Sequence, residues 1–246
     1  MNKIKIFAAA MTATALLTSC DDNGKNHLLN TTFNTPHNVP PFEKIHYRDY
    51  IPAIQQELQN VNQTIELICS NRDEATFQNT IIPFDRRNQN LDVLQNIFFN
   101  LKETENCDTM TMIAEEILPQ ISAANDNIYM NKQLFERIKH VYDNKNNLDS
   151  IRQRVTEKYY KEFVRNGALL SESEQATLRD YNQQIALLTL KFGNNLLSET
   201  NSYKLVIDSV ADLSGLPKSV VDAAALRAQA NGLNGKWLFT LHNASI

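Results

Sequence analysis

Residues 178–207 constrain the fold of this chain more than any other stretch. Leu178, Tyr181, Ile185, Leu188, Phe192 and Leu196 recur at steps of three and four, which places them on one face of an α-helix. Leu187, Leu190 and Leu197 form a second stripe beside the first. A helix apolar over so much of its circumference must be covered on two sides, so a buried, central helix is expected. Ser171 and Glu174 have the spacing of a capping box, in which each side chain satisfies a backbone N–H of the other residue. Counted from that cap to Thr200, the helix would be about 40 Å long. Gly193 lies inside it at a cost of roughly 1 kcal/mol relative to alanine, which implies a second backbone packed close by. After Asn201 the period changes, and the aromatic and β-branched run 203–207 reads as a short strand.

The preceding chain reads as a series of amphipathic helices. Asp49 is placed as the first N-cap, with Pro52 in the first turn and Ile51, Ile54, Leu58, Val61, Ile65 and Ile68 on one face. Thr76 caps a second helix that Pro83 should kink or interrupt, and Leu91, Leu94, Phe98 and Leu101 continue it. A third runs over about 109–127, with Ile113, Ile117, Ile121 and Ala124 inward and a bend at Pro119. Asn131 caps a fourth carrying Leu134, Ile138 and Val141. A fifth aligns Ile151, Val155, Tyr159 and Phe163 and stops near Gly167, with Glu157 and Lys161 spaced for a surface ion pair. Beyond the long helix, Leu216-Pro217 opens an alanine-rich helix ending at Gly232. Asn234-Gly235 then marks a turn into an alternating strand over 236–241. With six Gly and seven Pro in 246 residues, tight turns are few, which favours helices over a sandwich or barrel.

The N-terminus has the order of a targeting signal: Lys3 and Lys5, an apolar run over 6–17 too short to span a bilayer, then Leu17-Thr18-Ser19-Cys20. That tetrapeptide looks like a bacterial lipobox, which implies a signal peptide over 1–19 and lipid attachment at Cys20. Polar, aperiodic sequence follows, so residues 20–44 are expected to be a tether and 45–246 a helical domain. The formal charge of −4 gives no electrostatic reason to seek nucleic acid. Cys69 and Cys107 are near predicted helix ends; a disulfide is conceivable, and buried free thiols are the simpler reading.

A resemblance rests on collinear motifs. The run N-x-x-I-x-x-L-x-L-x-F-G-N-N-L-L-x-E-T occupies 182–200. F-N-T-P at 33–36, P-P-F-E-K-I at 40–45, H-Y-x-x-Y-I-P-A at 46–53, I-F-F-N-L at 97–101 and F-V-R-N-G-A at 163–168 precede it. D-L-S-G-L-P at 212–217 and G-K-W-L-F-T-L at 235–241 follow. Together they resemble the N-terminal part of bacterial peptidyl-dipeptidases, zinc peptidases of the thimet oligopeptidase family. The resemblance implies a complete enzyme that uses zinc and removes C-terminal dipeptides from short peptides. Its helical N-terminal part would form one wall of a deep channel.

That family's H-E-x-x-H motif is absent: no two of His27, His37, His46, His140 and His242 are four residues apart, and none precedes Glu. No catalytic, cofactor-binding or metal-ligating residue is therefore assigned in this chain. His46 and His140 read as capping or surface groups, Glu115-Glu116 as a solvated face and Arg86-Arg87 as a small charged patch. Phe98-Phe99 and Tyr159-Tyr160 read as core. The expectation is a mainly α, multi-helix region with two short β-strands near the C-terminus, ending before a missing C-terminal catalytic portion and inactive alone. It would sit lipid-anchored at the bacterial cell envelope. Two alternatives stand: a non-catalytic helical lipoprotein that binds peptides or a partner chain, and a split enzyme whose zinc half is a separate chain.

Overall fold

The computed structural model describes residues 26–29, 32–105 and 107–242. The expected signal peptide and Cys20 lie outside them. The described chain is mainly α. Helix α1 (Tyr47–Ser70) is followed by a single π-helical stretch (Phe77–Ile81) leading into α2 (Ile82–Arg86), then α3 (Gln89–Thr104) and α4 (Asp108–Tyr129). Next come α5 (Lys132–Asp143), α6 (Ser150–Arg165) and α7 (Glu172–Ser202). Strand β1 (Leu205–Ile207), α8 (Lys218–Ala230) and β2 (Trp237–Phe239) complete the order.

The core lies among α1 to α6. Ile54, Leu58, Val61, Ile65 and Ile68 of α1 are buried, against Leu91, Leu94 and Phe98 of α3 and Ile113, Ile117 and Ile121 of α4. Each side chain of this kind that is fully withdrawn from water contributes about 1.5–3 kcal/mol. Gln55 Nε2 donates to Gln120 Oε1 at 3.1 Å across the α1–α4 contact. At the other end an aromatic cluster centres on Phe84 and Phe163, both fully buried. The Phe84 ring lies 5.0 Å from Tyr159 and 5.4 Å from Phe163, and Phe163 lies 5.1 Å from Tyr129.

Arg87 belongs to this cluster and not to the surface patch expected of Arg86-Arg87. Its guanidinium sits 3.7 Å over the Phe84 ring and donates to the Phe84 carbonyl at 2.6 Å. The Tyr159 hydroxyl donates to the Asp85 carboxylate, and burial together with that bond pushes its pKa up. Tyr50, desolvated in the α1–α3 contact, has its pKa pushed up to about 12.

Local signals in the sequence are met at most helix ends. Thr76 Oγ1 accepts from Asn79 N at 3.2 Å, Asn131 Oδ1 from Leu134 N at 2.9 Å, and Ser171 Oγ from Glu174 N at 3.4 Å. Glu174 returns the contact, accepting from Ser171 N at 2.8 Å. Gly167, at φ +97°, ends α6, and Ala168 N reaches back to Phe163 O at 3.0 Å. Pro83 starts α2 after the π turn, where its missing N–H interrupts the regular ladder.

Other expectations also need correction. The N-cap of α1 is His46, three residues earlier than expected; Asp49 is the third helical residue and accepts from His46 N at 2.8 Å. Carboxylates suit either position, so residue type alone did not choose. Ile151, at 76% exposure, is not in the core, because it falls in the first turn of α6 where the chain is still entering. A further correction is α7, described below. Within the stretch expected to be a tether, Leu28 is 1% exposed and Phe33 packs against the core. The structure thus holds the chain to the helices well before α1.

Phe163→Ala removes the ring on which Phe84, Tyr129 and Phe135 converge. It should lower stability by about 3–5 kcal/mol. Ile151→Ala, at an exposed site, should change it by less than about 0.5 kcal/mol. Urea denaturation followed by circular dichroism distinguishes the two.

Candidate functional site

The long helix forms as its capping box requires, but no residue of α7 is buried. It lies on α4 through its less apolar side. Leu178, Asn182, Ala186, Leu190 and Asn194 face the body, half-buried. Asn182 Nδ2 donates to Asp126 Oδ1 at 2.7 Å, Arg179 to Asn127 Oδ1 at 2.8 Å, and Lys102 Nζ to Asn194 Oδ1 at 3.1 Å. Asp126 is 8% exposed, so its carboxylate leaves water for an amide partner on α7.

The bulky stripe points elsewhere, roughly a third of a turn round the helix. Tyr181, Ile185, Leu188, Phe192 and Leu196 are 56–69% exposed. The expectation of a helix buried on two sides is overturned: one side rests on α4, and the more apolar side is uncovered among the described residues. Spacings of four, three and four along Tyr181, Ile185, Leu188 and Phe192 match the seam that one helix offers to another. Contiguous apolar surface of this extent marks an interaction site.

Gly193 corrects the expectation of a close backbone neighbour, since a Cβ there would meet nothing within 4 Å. It opens one wall of a shallow groove of about 540 Å³ between α3, α4 and α7. Phe99, Leu118, Leu190 and Leu197 line this groove, with Lys102 at its rim. The glycine that is crowded is Gly167, and by side chains: a Cβ there would lie 2.9 Å from a Leu178 methyl.

Beyond α7 the chain forms a small unit with its own interior: Leu213, Ala224, Ala228 and Leu238 are buried and stand apart from the main core. Strands β1 and β2 pair antiparallel, with Leu205 opposite Phe239, Val206 opposite Leu238 and Ile207 opposite Trp237. Each strand has one unpaired edge, a template for further strand pairing.

Among the described residues no group of three His, Cys, Asp or Glu converges as a metal site. His46 caps α1, and His140 Nε2 pairs with Glu74 Oε1 at 3.0 Å on the surface. Glu115 and Glu116 are both exposed, and Lys161 pairs with Glu157 at 2.6 Å. No described helix is long and apolar enough to cross a membrane.

Cys69 and Cys107 are free and half-buried. Their environments differ. The Met110 N–H at the start of α4 and the Tyr47 hydroxyl, 3.7 Å from Sγ, favour the Cys107 thiolate and lower its pKa. Burial raises that of Cys69.

No family model matches the chain. Curated relatives do. The dipeptidyl carboxypeptidase of Escherichia coli K12 is 29% identical over 212 residues, covering 85% of this chain and 31% of that protein. The dipeptidyl carboxypeptidase of Salmonella typhimurium is 26% identical with the same coverage. Oligopeptidase A of Haemophilus influenzae is 28% identical over 205 residues, 82% of this chain and 30% of its own length. This chain therefore spans about a third of the curated relatives it matches.

Two measurements follow. Ile185→Asp combined with Phe192→Asp should leave the urea midpoint of the isolated chain nearly unchanged, because both side chains are exposed, while reducing its binding of a hydrophobic dye. With iodoacetamide at neutral pH, Cys107 should be alkylated before Cys69: the lowered pKa gives it the larger thiolate fraction, and raising the pH should narrow the gap. Peptide mapping by mass spectrometry reads the order. Over 85% of its length the chain is similar to peptidases of the dipeptidyl carboxypeptidase and oligopeptidase A kind, as its collinear motifs indicate.

Proposed function

We propose that this chain is the N-terminal, channel-wall portion of a zinc peptidyl-dipeptidase that removes C-terminal dipeptides from short peptides. In this reading it is held at the bacterial cell envelope by lipid on Cys20. The observation that carries the reading is the similarity to dipeptidyl carboxypeptidase over 212 residues, 85% of this chain. The uncovered apolar stripe of α7 supports it, because a helical wall inside a larger enzyme needs such a surface for the rest to pack on.

In this reading the chain supplies no metal ligand and no proton-transfer group. Zinc, held by the catalytic portion, would activate water there. The work of the present residues is steric and organisational. The aromatic cluster at Phe84 and Phe163 keeps the helices rigid, and the polar seam at Asp126 and Asn182 fixes where α7 lies. The stripe from Tyr181 to Leu196 then receives the catalytic portion. A channel built this way excludes folded proteins and admits short chains. The competing reading, a non-catalytic lipoprotein that binds peptides or a partner, uses the same α7 face without the enzyme.

The test pairs the purified chain with a polypeptide comprising the part of E. coli dipeptidyl carboxypeptidase beyond the matched region. Dipeptide release from an N-blocked short peptide is followed with added zinc. The chain alone should be silent, and the mixture should associate and release dipeptide in a chelator-sensitive way. Ile185→Asp with Phe192→Asp should abolish the association. Stoichiometric zinc and dipeptide release by the chain alone would overturn the proposal; a stable lipoprotein that never associates would favour the competing reading.

A further inference from the structure

We propose that the end of the body where the chain enters α1 is a membrane-contact surface. There Leu29, Val39, Phe42 and Tyr47 seat in the interfacial layer of a phospholipid bilayer. The inference rests on the reading that Cys20 carries lipid; it adds which face of the protein meets the membrane and through which side chains.

The argument starts from reach. The chain is fixed to the body at Asn26 and Leu28: Asn26 Nδ2 donates to the Asp49 carbonyl at 2.8 Å, and Leu28 is buried in the main core. Asn26 comes six residue steps after Cys20 in the sequence, and fully extended those steps span at most about 20 Å. A lipid on Cys20 therefore holds the first turn of α1 close to the bilayer surface. It does not allow the body to roam as a 25-residue tether would.

That end of the molecule presents apolar side chains to solvent. Leu29, Val39, Phe42 and Tyr47 are each about half exposed, at 51%, 49%, 47% and 51%. They are held in place. Leu29 N donates to Asn26 O, Thr35 Oγ1 to Val39 O, and Phe42 opens the 3-10 turn Phe42–Lys44. Tyr47 begins α1, two residues before Asp49, whose carbonyl Asn26 bonds. Aromatic and aliphatic side chains of this kind favour the headgroup boundary, and the Tyr47 hydroxyl keeps a polar partner there in Cys107 Sγ, 3.7 Å away. Charges in the same segment alternate, with Glu43 beside Lys44 and Arg48 beside Asp49. The attraction is thus apolar, needs no anionic lipid, and adds to the anchor as a second contact.

The experiment uses the full chain, extracted from membranes and reconstituted in phosphatidylcholine vesicles, with Trp237→Phe and Phe42→Trp. Mass spectrometry of the same sample reports whether Cys20 is lipidated. Fluorescence from position 42 should shift to the blue, be quenched by lipids brominated near the headgroup, and be insensitive to salt. A control, Trp237→Phe with Ile151→Trp, places the probe at the opposite end of α1, where Arg152 lies over Phe77, and should show neither effect. Lipid on Cys20 with an unquenched probe at position 42 would overturn the surface while leaving the anchor intact. An unmodified Cys20 would overturn the anchor, and the membrane orientation with it. Unchanged helicity and urea midpoint in both variants exclude misfolding as the cause.

Discussion

The seam between α4 and α7 carries the attachment of the C-terminal third of the described chain to the helical body. It is made largely of amide, guanidinium and carboxylate contacts: Asn182 on Asp126, Arg179 on Asn127 and, from α3, Lys102 on Asn194. Such contacts are directional and fix register, but each adds only about 1 kcal/mol net. Leu178 and Leu190 face the body, but Tyr181, Ile185, Leu188, Phe192 and Leu196 are turned away from this seam. A monomer folding alone would gain more by burying Phe192 and Ile185 than Ala186 and Asn194. That the helix does the reverse is the physical reason for reading its outer stripe as reserved for another surface.

The helical body and the outer surfaces follow different rules. In the body the apolar periodicity is spent internally, with Ile54, Leu94, Ile117, Ile138 and Phe163 essentially fully buried. On α7 and in the β1–β2–α8 unit, comparable periodicity is left facing outward, at Leu188, Val206, Leu226 and elsewhere. The two-stranded sheet, three residues per strand, is well below the size at which a sheet is stable by itself. It is held by Leu238 against Ala224 and Ala228 and by the Arg227 bond to the Leu238 carbonyl at 3.3 Å.

Much of the fold was legible in the sequence because its signals are local. A cap such as Ser171 with Glu174, or a stop such as Gly167, is decided within a few residues. The inward faces of α1, α3, α4 and α5 were readable for the same reason. The sites that misread are those decided by distant partners. Periodicity shows that a face of α7 is apolar and says nothing of what covers it. Gly193 and Gly167 are the same residue type, and only tertiary packing assigns the crowding to Gly167. Arg87 was read as surface because its charge is local information, whereas the Phe84 and Tyr129 rings around it are not. Arg137, which bonds the carbonyls of Asn71 and Asp73 at 2.8 and 3.1 Å, carried no sequence signal at all.

The short connection between α6 and α7 has a mechanical consequence. Gly167 ends one helix and Ser171 caps the next, so the direction of α7 is set within a few residues by a left-handed glycine, a capping box and the Gln175 bond to the Gly167 carbonyl at 2.9 Å. From there a 31-residue helix extends about 46 Å, and tilting it by about 5° at its base would displace its far end by about 4 Å. The bonds at Asn182 and Asn194 hold the helix against such a tilt, so the polar seam and the turn at Gly167 together set where the β1–β2–α8 unit behind its far end lies. Without those bonds the direction of α7 would rest on the turn at Gly167 alone, where Leu178 crowds the glycine, and a small repacking there would be magnified at the far end.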